Sequence, residues 1–245
     1  MTKIITADQA AALIKDGATV ASTGFGLAGW AEEVAQAIEK RFLETGQPKN
    51  ITLMHASAIG DWKERGTTRL GKEGLVKRWI GAHIGSSANM SRLVAENKIE
   101  AYCLPQGSIL HLFREIAAKR PGLFTKVGLG TFVDPRLDGG KMNSMTTAPI
   151  NKVVEFEGEE WLFYPTFPIN VALIRGTTVD ENGNLTMEKE GPLVEALPLA
   201  QAAKNSGGIV IVQAEYLAKA GTLHPKAVRV PGILVDYIVI ATKQE

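Results

Sequence analysis

DGATVASTGFGLAGWAEEVAQAIEK, residues 16–40, carries three structural signals in sequence. Asp16-Gly17 is a turn, and the apolar run ATVAST after it reads as a strand. From about Trp30 to Thr45 the chain reads as an amphipathic helix, with Val34, Ile38 and Phe42 on one face and Gly46 stopping it. Between strand and helix lie Gly24, Gly26 and Gly29, spelling G-x-G-x-x-G. A strand, a glycine turn and a helix fit the dinucleotide fingerprint, in which a helix N-terminus holds an anion. That fingerprint also needs a carboxylate some twenty positions on, at the end of the next strand, to hold the ribose. Here that strand ends His55-Ala56-Ser57, and the helix opens with Glu32 and Glu33, whose charges oppose a pyrophosphate. The glycines therefore serve either a plain tight turn or a loop with another task.

Outward from this stretch the same alternation continues. Thr6 and Gln9 have capping-box spacing ahead of an alanine-rich helix running to Lys15. NITLMHAS (50–57) is a second strand, followed by a glycine-punctuated loop to Gly71. LVKRWIGAHIG, a helix over ANMSRLVAEN, strand IEAYCLP and a helix over SILHLFREIAAKR follow, the last ended by Pro121-Gly122. KVVEFEGEEWLFYP (152–165) alternates about a Glu-Gly-Glu centre as an antiparallel hairpin does. INVALIRGTTVD, a turn at ENGN, strand LTMEKE, a helix over LPLAQAAK and strands GGIVIVQAEYL and GILVDYIVIAT complete the chain. This order predicts an α/β fold: an open mixed, mostly parallel sheet covered by helices on both faces. With no linker or repeat in sight, residues 1–245 read as one domain with a small antiparallel insertion around 130–165.

Composition excludes several classes of function. A net charge of +1 gives no electrostatic footprint for nucleic acid or an anionic membrane. No apolar run approaches the roughly 20 residues of a membrane span. The start MTKIITADQAAALIK lacks the basic-then-apolar layout of a secretion signal. The single cysteine, Cys103, forms no internal disulfide and suits a reducing cytoplasm, where an inert core thiol is expected. His55, His83, His111 and His224 do not pair at metal-ligand spacing, so structural or surface roles are expected and no metal site.

DGATVASTGFGLAGWA (16–31) resembles the N-terminal signature of class I CoA-transferases, departing from it at Ser22, Thr23 and Ala31. CLPQGSILHLFREIAAKRPGLFT (103–125), VGLGTFVDPRLDGGKMN (127–143), VALIRGTTVDENGNLT (171–186) and residues 202–241 resemble further family segments in the same order. The likeness spans almost the whole chain and is closest to the propionate/acetate-type branch, whose two halves are usually fused. It implies the α, or N-terminal, half of an enzyme that moves coenzyme A from an acyl-CoA to a short-chain carboxylate, on a sheet shared with ribose-phosphate isomerases. CoA is then a substrate and transient covalent partner, and no metal or redox cofactor is implied. The implied companion is a β subunit or C-terminal domain within a larger oligomer.

In such enzymes a glutamate attacks the thioester to give an acyl-glutamyl anhydride, and the freed thiolate converts this to a glutamyl-CoA thioester. The resemblance places Gly24, Phe25 and Gly26 at the acyl end of the site, where glycines permit close approach of backbone N–H groups. It matches Gln106, beside Gly107, to a glutamine whose amide bonds the carboxylate or carbonyl; the residues alone favour a loop glutamine capping the next helix. A second family amide has no counterpart in His55-Ala56-Ser57-Ala58, where Ser57 is the candidate substitute. The nucleophile belongs to the β half in a Ser-Glu-Asn-Gly context. Glu181-Asn182-Gly183 imitates it but sits in VDENGNLT, a turn between strands, so no catalytic nucleophile is expected on this chain. Asp134, Arg136, Lys141 and Asn143 form a loop cluster that either faces the β half or is solvated, and Asp236-Tyr237 is assigned to a strand end.

Two rival functions remain at this stage. A sugar-phosphate isomerase on the same architecture would use Thr67-Thr68 and Ser86-Ser87 as phosphate turns, although no convergent base is visible. A non-catalytic acyl-CoA or partner-binding module is the other.

Overall fold

The computed structural model describes residues 2–242. Eight parallel strands form the spine of the sheet. In chain order they are β1 (Lys3–Ile4), β2 (Thr19–Ser22), β3 (Ile51–His55), β4 (Val76–Gly81), β5 (Glu100–Cys103), β9 (Val171–Asp180), β11 (Ile209–Ala218) and β13 (Tyr237–Ile240). They lie side by side as β1-β13-β11-β9-β2-β3-β4-β5, every neighbouring pair parallel. Two short strands make the sheet mixed: β10 (Leu185–Thr186) pairs antiparallel with β9, and β12 (Val228–Val230) pairs antiparallel with β10. A separate antiparallel sheet is ordered β6 (Gly122–Thr125), β8 (Glu159–Pro165), β7 (Lys152–Phe156).

Strand alternation divides the core into two layers. Val20, Leu53, Trp79, Ala101 and Leu173 point to one face, while Ala21, Met54, Ile80, Tyr102 and Ile174 point to the other. The first face is covered by α1 (Ala7–Ala12), α2 (Glu32–Thr45) and α3 (Ala88–Ala95), the second by α4 (Gln106–Ala117) and α5 (Ala196–Asn205). Both faces being dry, the central strands carry the continuous apolar runs seen in the sequence. Among the described residues no helix is long and apolar enough to cross a membrane.

Helix ends follow local chemistry. Thr6 and Gln9 close a reciprocal capping box on α1. Gly46 ends α2 in the left-handed conformation, donating to the Phe42 carbonyl. At its other end α2 has no local cap; the Gln213 side chain, reaching from β11, accepts the Val34 N–H at 3.1 Å.

Several boundaries differ from the expectation. Helix α2 starts at Glu32 rather than Trp30, because Trp30 and Ala31 are buried in the approach to it. Helix α4 starts at Gln106, immediately after Pro105, and ends at Ala117 before the Pro121-Gly122 pair. Two strands of the antiparallel sheet, β7 and β8, fall within the expected 130–165 stretch, while its third, β6, begins earlier at Gly122 and 126–151 between them is irregular. The final strand starts at Tyr237, since Gly232–Leu234 is a 3₁₀ turn.

The Gln213 cap gives a stability prediction. Gln213→Leu leaves the Val34 N–H without its acceptor in a buried position and should cost about 1–2 kcal/mol, read as a lowered urea midpoint at unchanged m-value.

Candidate functional site

A parallel sheet collects the carboxyl ends of its strands along one edge, and the connections there come from distant parts of the chain. Helices α4 and α5 pack together and run the same way, since Asn205 at the end of α5 donates its amide to the Ala117 carbonyl at the end of α4. Their N-termini therefore share the carboxyl edge with the glycine loop after β2 and the segment after β3.

Gln106 opens α4, and Pro105, the residue before it, supplies no side-chain cap. The backbone N–H groups of Gln106 and Gly107 have no intrahelical acceptor at this position, and the helix dipole adds partial positive charge there. Both residues are exposed, and a Cβ built on Gly107 would meet nothing within 4 Å. The Gln106 side chain does not cap the helix. Its Nε2 donates to Ser57 Oγ at 2.6 Å.

Ser57 is itself held from behind. Trp79 Nε1 donates to His55 Nε2 at 2.8 Å, which assigns the ring proton to Nδ1, 2.5 Å from the Ser57 carbonyl that accepts it. His55 is buried at 1% exposure, and burial lowers its pKa to about 4, so the ring stays neutral at pH 7. A chain of hydrogen bonds thus runs from the buried Trp79 indole through His55 and Ser57 to the exposed amide of Gln106. Ser57 still has its own hydroxyl proton to donate.

The loop after β2 is tied to the same segment. Gly26 N donates to the Ala58 carbonyl at 2.8 Å, and Gly60 N donates to the Gly26 carbonyl at 2.9 Å. Gly24 has φ of +145°, a conformation that side chains rarely adopt. Phe25, at the tip, is 59% exposed. The loop's amides are not the open donors that the resemblance implied: Phe25 N is spent on the Ala28 carbonyl and Gly26 N on Ala58. The structure therefore brings Gly24, Phe25, Gly26, Gln106 and Gly107 to one edge, with the unsatisfied donors at the head of α4 and the loop forming a wall.

Sequence reasoning missed what holds that wall. Glu190 Oε2 accepts the Gly29 N–H at 3.0 Å, and its other oxygen pairs with Arg175 Nε at 3.3 Å. Thr23 donates its hydroxyl to the Gly29 carbonyl at 2.7 Å. Glu32, with a charge expected to oppose a pyrophosphate, is buried and accepts from Trp30 Nε1, Gly66 N and Arg69. Glu195 is also buried, and burial raises its pKa to about 7. Only the glycines signalled this region locally, because Gly29 and Glu190 lie 161 residues apart.

The remaining candidates resolve as follows. Glu181 lies in the turn between β9 and β10 and pairs with Lys219 at 2.8 Å. Asp134 is buried, and its hydrogen bonds from Arg136 hold its carboxyl well below the usual range. Asn143 donates to the Val94 and Ile99 carbonyls, fastening the loop inward. Cys103 is half-buried rather than in the core, and burial raises its pKa. Thr67 and Thr68 are buried and serve the fold, Thr67 donating to Ile59 and Thr68 accepting the first N–H of α3. Ser86 and Ser87 are buried too, which removes the phosphate turns that an isomerase would need. Asp236 pairs with Lys204 and accepts from Val210 N just ahead of β13. Among the described residues no His, Cys, Asp and Glu cluster could hold a metal ion. A cavity of about 710 Å³ elsewhere, against α1, α2, β9 and β11, is lined by six carboxylates and three basic residues, a poor host for anionic substrates.

The open α/β sheet thus gathers an amide, an uncapped helix head and a glycine loop at one edge. Comparison with known proteins gives the class. The coenzyme A transferase family profile matches residues 4–241, and the chain belongs to that family. The caffeate CoA-transferase of Acetobacterium woodii is 63% identical over 242 residues, covering 99% of this chain and 46% of that protein. The acetoacetyl-CoA:acetate/butyrate CoA transferase alpha subunit of Clostridium acetobutylicum is 30% identical over 241 residues, covering 97% of each. The crystal structure of an acyl-CoA transferase (YdiF) from Escherichia coli O157:H7, in a thioester complex with CoA, matches with a TM-score of 0.95 at 39% identity. It covers 100% of this chain and 48% of that one. The chain thus spans about half the length of the first and third, and nearly all of a protein that is itself an alpha subunit.

His55 supplies a pH prediction. Its pKa falls from 6.5 to about 4 on folding, so between these values the unfolded chain binds a proton that the folded chain does not. Stability is therefore unaffected by this group above pH 6.5 and is lost as the pH falls toward 4, by roughly 3 kcal/mol in all. In His55→Gln the urea midpoint should fall less steeply across that window than in the wild type; identical slopes would contradict the assignment.

Proposed function

We propose that the chain is the α half of a CoA-transferase that moves coenzyme A from an acyl-CoA to a short-chain carboxylate. It supplies the acyl- and carboxylate-binding edge, while the glutamate nucleophile resides on a β subunit or domain. The observation that carries this reading is the Gln106 amide, oriented by Ser57 at the open head of α4.

The chemistry divides accordingly. The companion's carboxylate attacks the thioester carbonyl, expelling CoA thiolate and leaving an acyl-glutamyl anhydride. The thiolate then attacks the glutamyl carbonyl and releases the acyl carboxylate, giving the glutamyl-CoA thioester. A second carboxylate reverses both steps, so atoms and charge balance without a metal or redox group. Each addition develops an oxyanion. Gln106 Nε2 has one N–H committed to Ser57 and a second to offer, and the backbone N–H groups of Gln106 and Gly107 point the same helix head at that charge. Phe25 and the glycine loop wall off the acyl group.

Four carboxylates of this chain, Glu181, Glu32, Glu190 and Glu195, suit other tasks. Glu181 is committed to Lys219 and the Ala220 N–H, while Glu32 and Glu190 are committed to structural hydrogen bonds. Glu195 is 4% exposed, closed to an incoming thioester. Val127, Phe132 and Leu137 are 50–60% exposed on the irregular 126–151 segment, apolar surface that a companion half and further copies would cover. The single half-buried thiol suits a reducing cytoplasm.

The test is a CoA-transfer assay on the chain alone and mixed with its β half. Turnover is expected only in the mixture, and turnover by the chain alone overturns the reading. In the mixture, Gln106→Ala should lower kcat by roughly 10²–10³-fold, the loss seen when an oxyanion donor is removed. Glu181→Gln should leave kcat unchanged.

A further inference from the structure

We propose that Glu190, held by Arg175, is a positioning residue that sets the acyl wall through Gly29 and so governs which acyl groups the site accepts. The proposal deepens the reading of this edge as an acyl pocket and rests on it.

The wall is closed on itself only at its tip, where Phe25 and Ala28 exchange backbone hydrogen bonds. Gly24, Gly26 and Gly29 all have positive φ, at +145°, +64° and +70°, in a loop whose remaining freedom must be removed by contacts from outside it. One anchor is the pair of backbone bonds that ties Gly26 to residues 58–60. The other end hangs on Gly29, and both of its backbone polar groups are taken by side chains. Glu190 Oε2 accepts its N–H at 3.0 Å, and Thr23 donates its hydroxyl to its carbonyl at 2.7 Å. Arg175 closes the circuit: its Nε pairs with Glu190 Oε1 at 3.3 Å, and its backbone N–H reaches Thr23 Oγ1 at 3.5 Å. Glu190 and Arg175 are only 6% and 12% exposed, where a charged acceptor on a backbone N–H is worth more than at the surface.

The segment bearing Glu190 also borders the same glycine. Val194 Cγ2 lies 3.5 Å from where a Cβ on Gly29 would sit, and Val194 has φ of +41°, strained for a β-branched residue. Glu195, next in the chain, is buried with Oε1 lacking a hydrogen-bond partner. Strain and an unsatisfied buried atom kept side by side on this segment are features that cluster where shape serves function. An acyl wall held this way transmits small shifts into selectivity, since a single methylene alters kcat/KM by about 10–200-fold in a fitted pocket.

The test uses the enzyme assembled with its β half, with acetyl-CoA and butyryl-CoA as probes. Glu190→Ala frees Gly29 and should relax the wall, shifting the ratio of kcat/KM values about tenfold toward butyryl-CoA. Glu190→Gln retains an oxygen for the Gly29 N–H and should keep the ratio within about threefold of wild type. Amide exchange, followed by mass spectrometry on the same assembly, should quicken across residues 24–30 in Glu190→Ala but not in Glu190→Gln. If folded Glu190→Ala keeps the wild-type ratio, or loses activity equally on both probes, the proposal is overturned. If the wild-type assembly transfers no CoA, the transferase reading fails instead, and unchanged exchange in Glu190→Ala still overturns the Gly29 anchor.

Discussion

Eight strands pointing the same way, dry on both faces, are the constraint from which the rest of this molecule follows. A parallel ladder delivers every carboxyl end to one edge, and the returning helices must begin there. The glycine loop after β2, His55-Ala56-Ser57 after β3 and the head of α4 after β5 are neighbours for that reason alone. The site is a consequence of direction: polar groups that cannot be satisfied inside a helix or ladder accumulate where strands stop and helices start.

Two kinds of support keep that edge in shape. On one side, aromatic and imidazole groups carry order outward from the core, from Trp79 through His55 to Ser57 and Gln106. On the other, buried carboxylates clamp the glycine loop and its surroundings, Glu190 on Gly29 and Glu32 on Gly66 and Trp30. Neither Glu32 nor Glu190 lacks hydrogen-bond partners, which is what allows a charge to remain in a buried place. The loop contributes a surface, closed at its tip by the Phe25–Ala28 bonds and anchored from outside at Gly26 and Gly29.

Much of the architecture was legible because it is written in short-range patterns. Strand alternation, the Thr6–Gln9 box, Gly46 and the Glu157-Gly158 turn each act within a few residues, and each appears where the sequence places it. Gln106 and the glycines stood out through family likeness, but their tasks did not: the Phe25 and Gly26 amides turned out to be spent internally, and Gln106 proved to start a helix. Strands β6 and β12 escaped notice because pairing with distant partners, not propensity, makes them strands. Glu32 and Glu190 escaped for the same reason. A carboxylate looks solvated until the residues that bury it are known, and those lie up to 161 positions away.

The central claim is that this chain shapes the site while another polypeptide segment supplies the attacking oxygen. Intact-mass and peptide mass spectrometry of the assembled enzyme, quenched after exposure to an acyl-CoA alone, tests it most directly. The account predicts a CoA thioester on a glutamate of the β half and an unmodified chain here. A CoA adduct mapped to any carboxylate within residues 2–242 would contradict it.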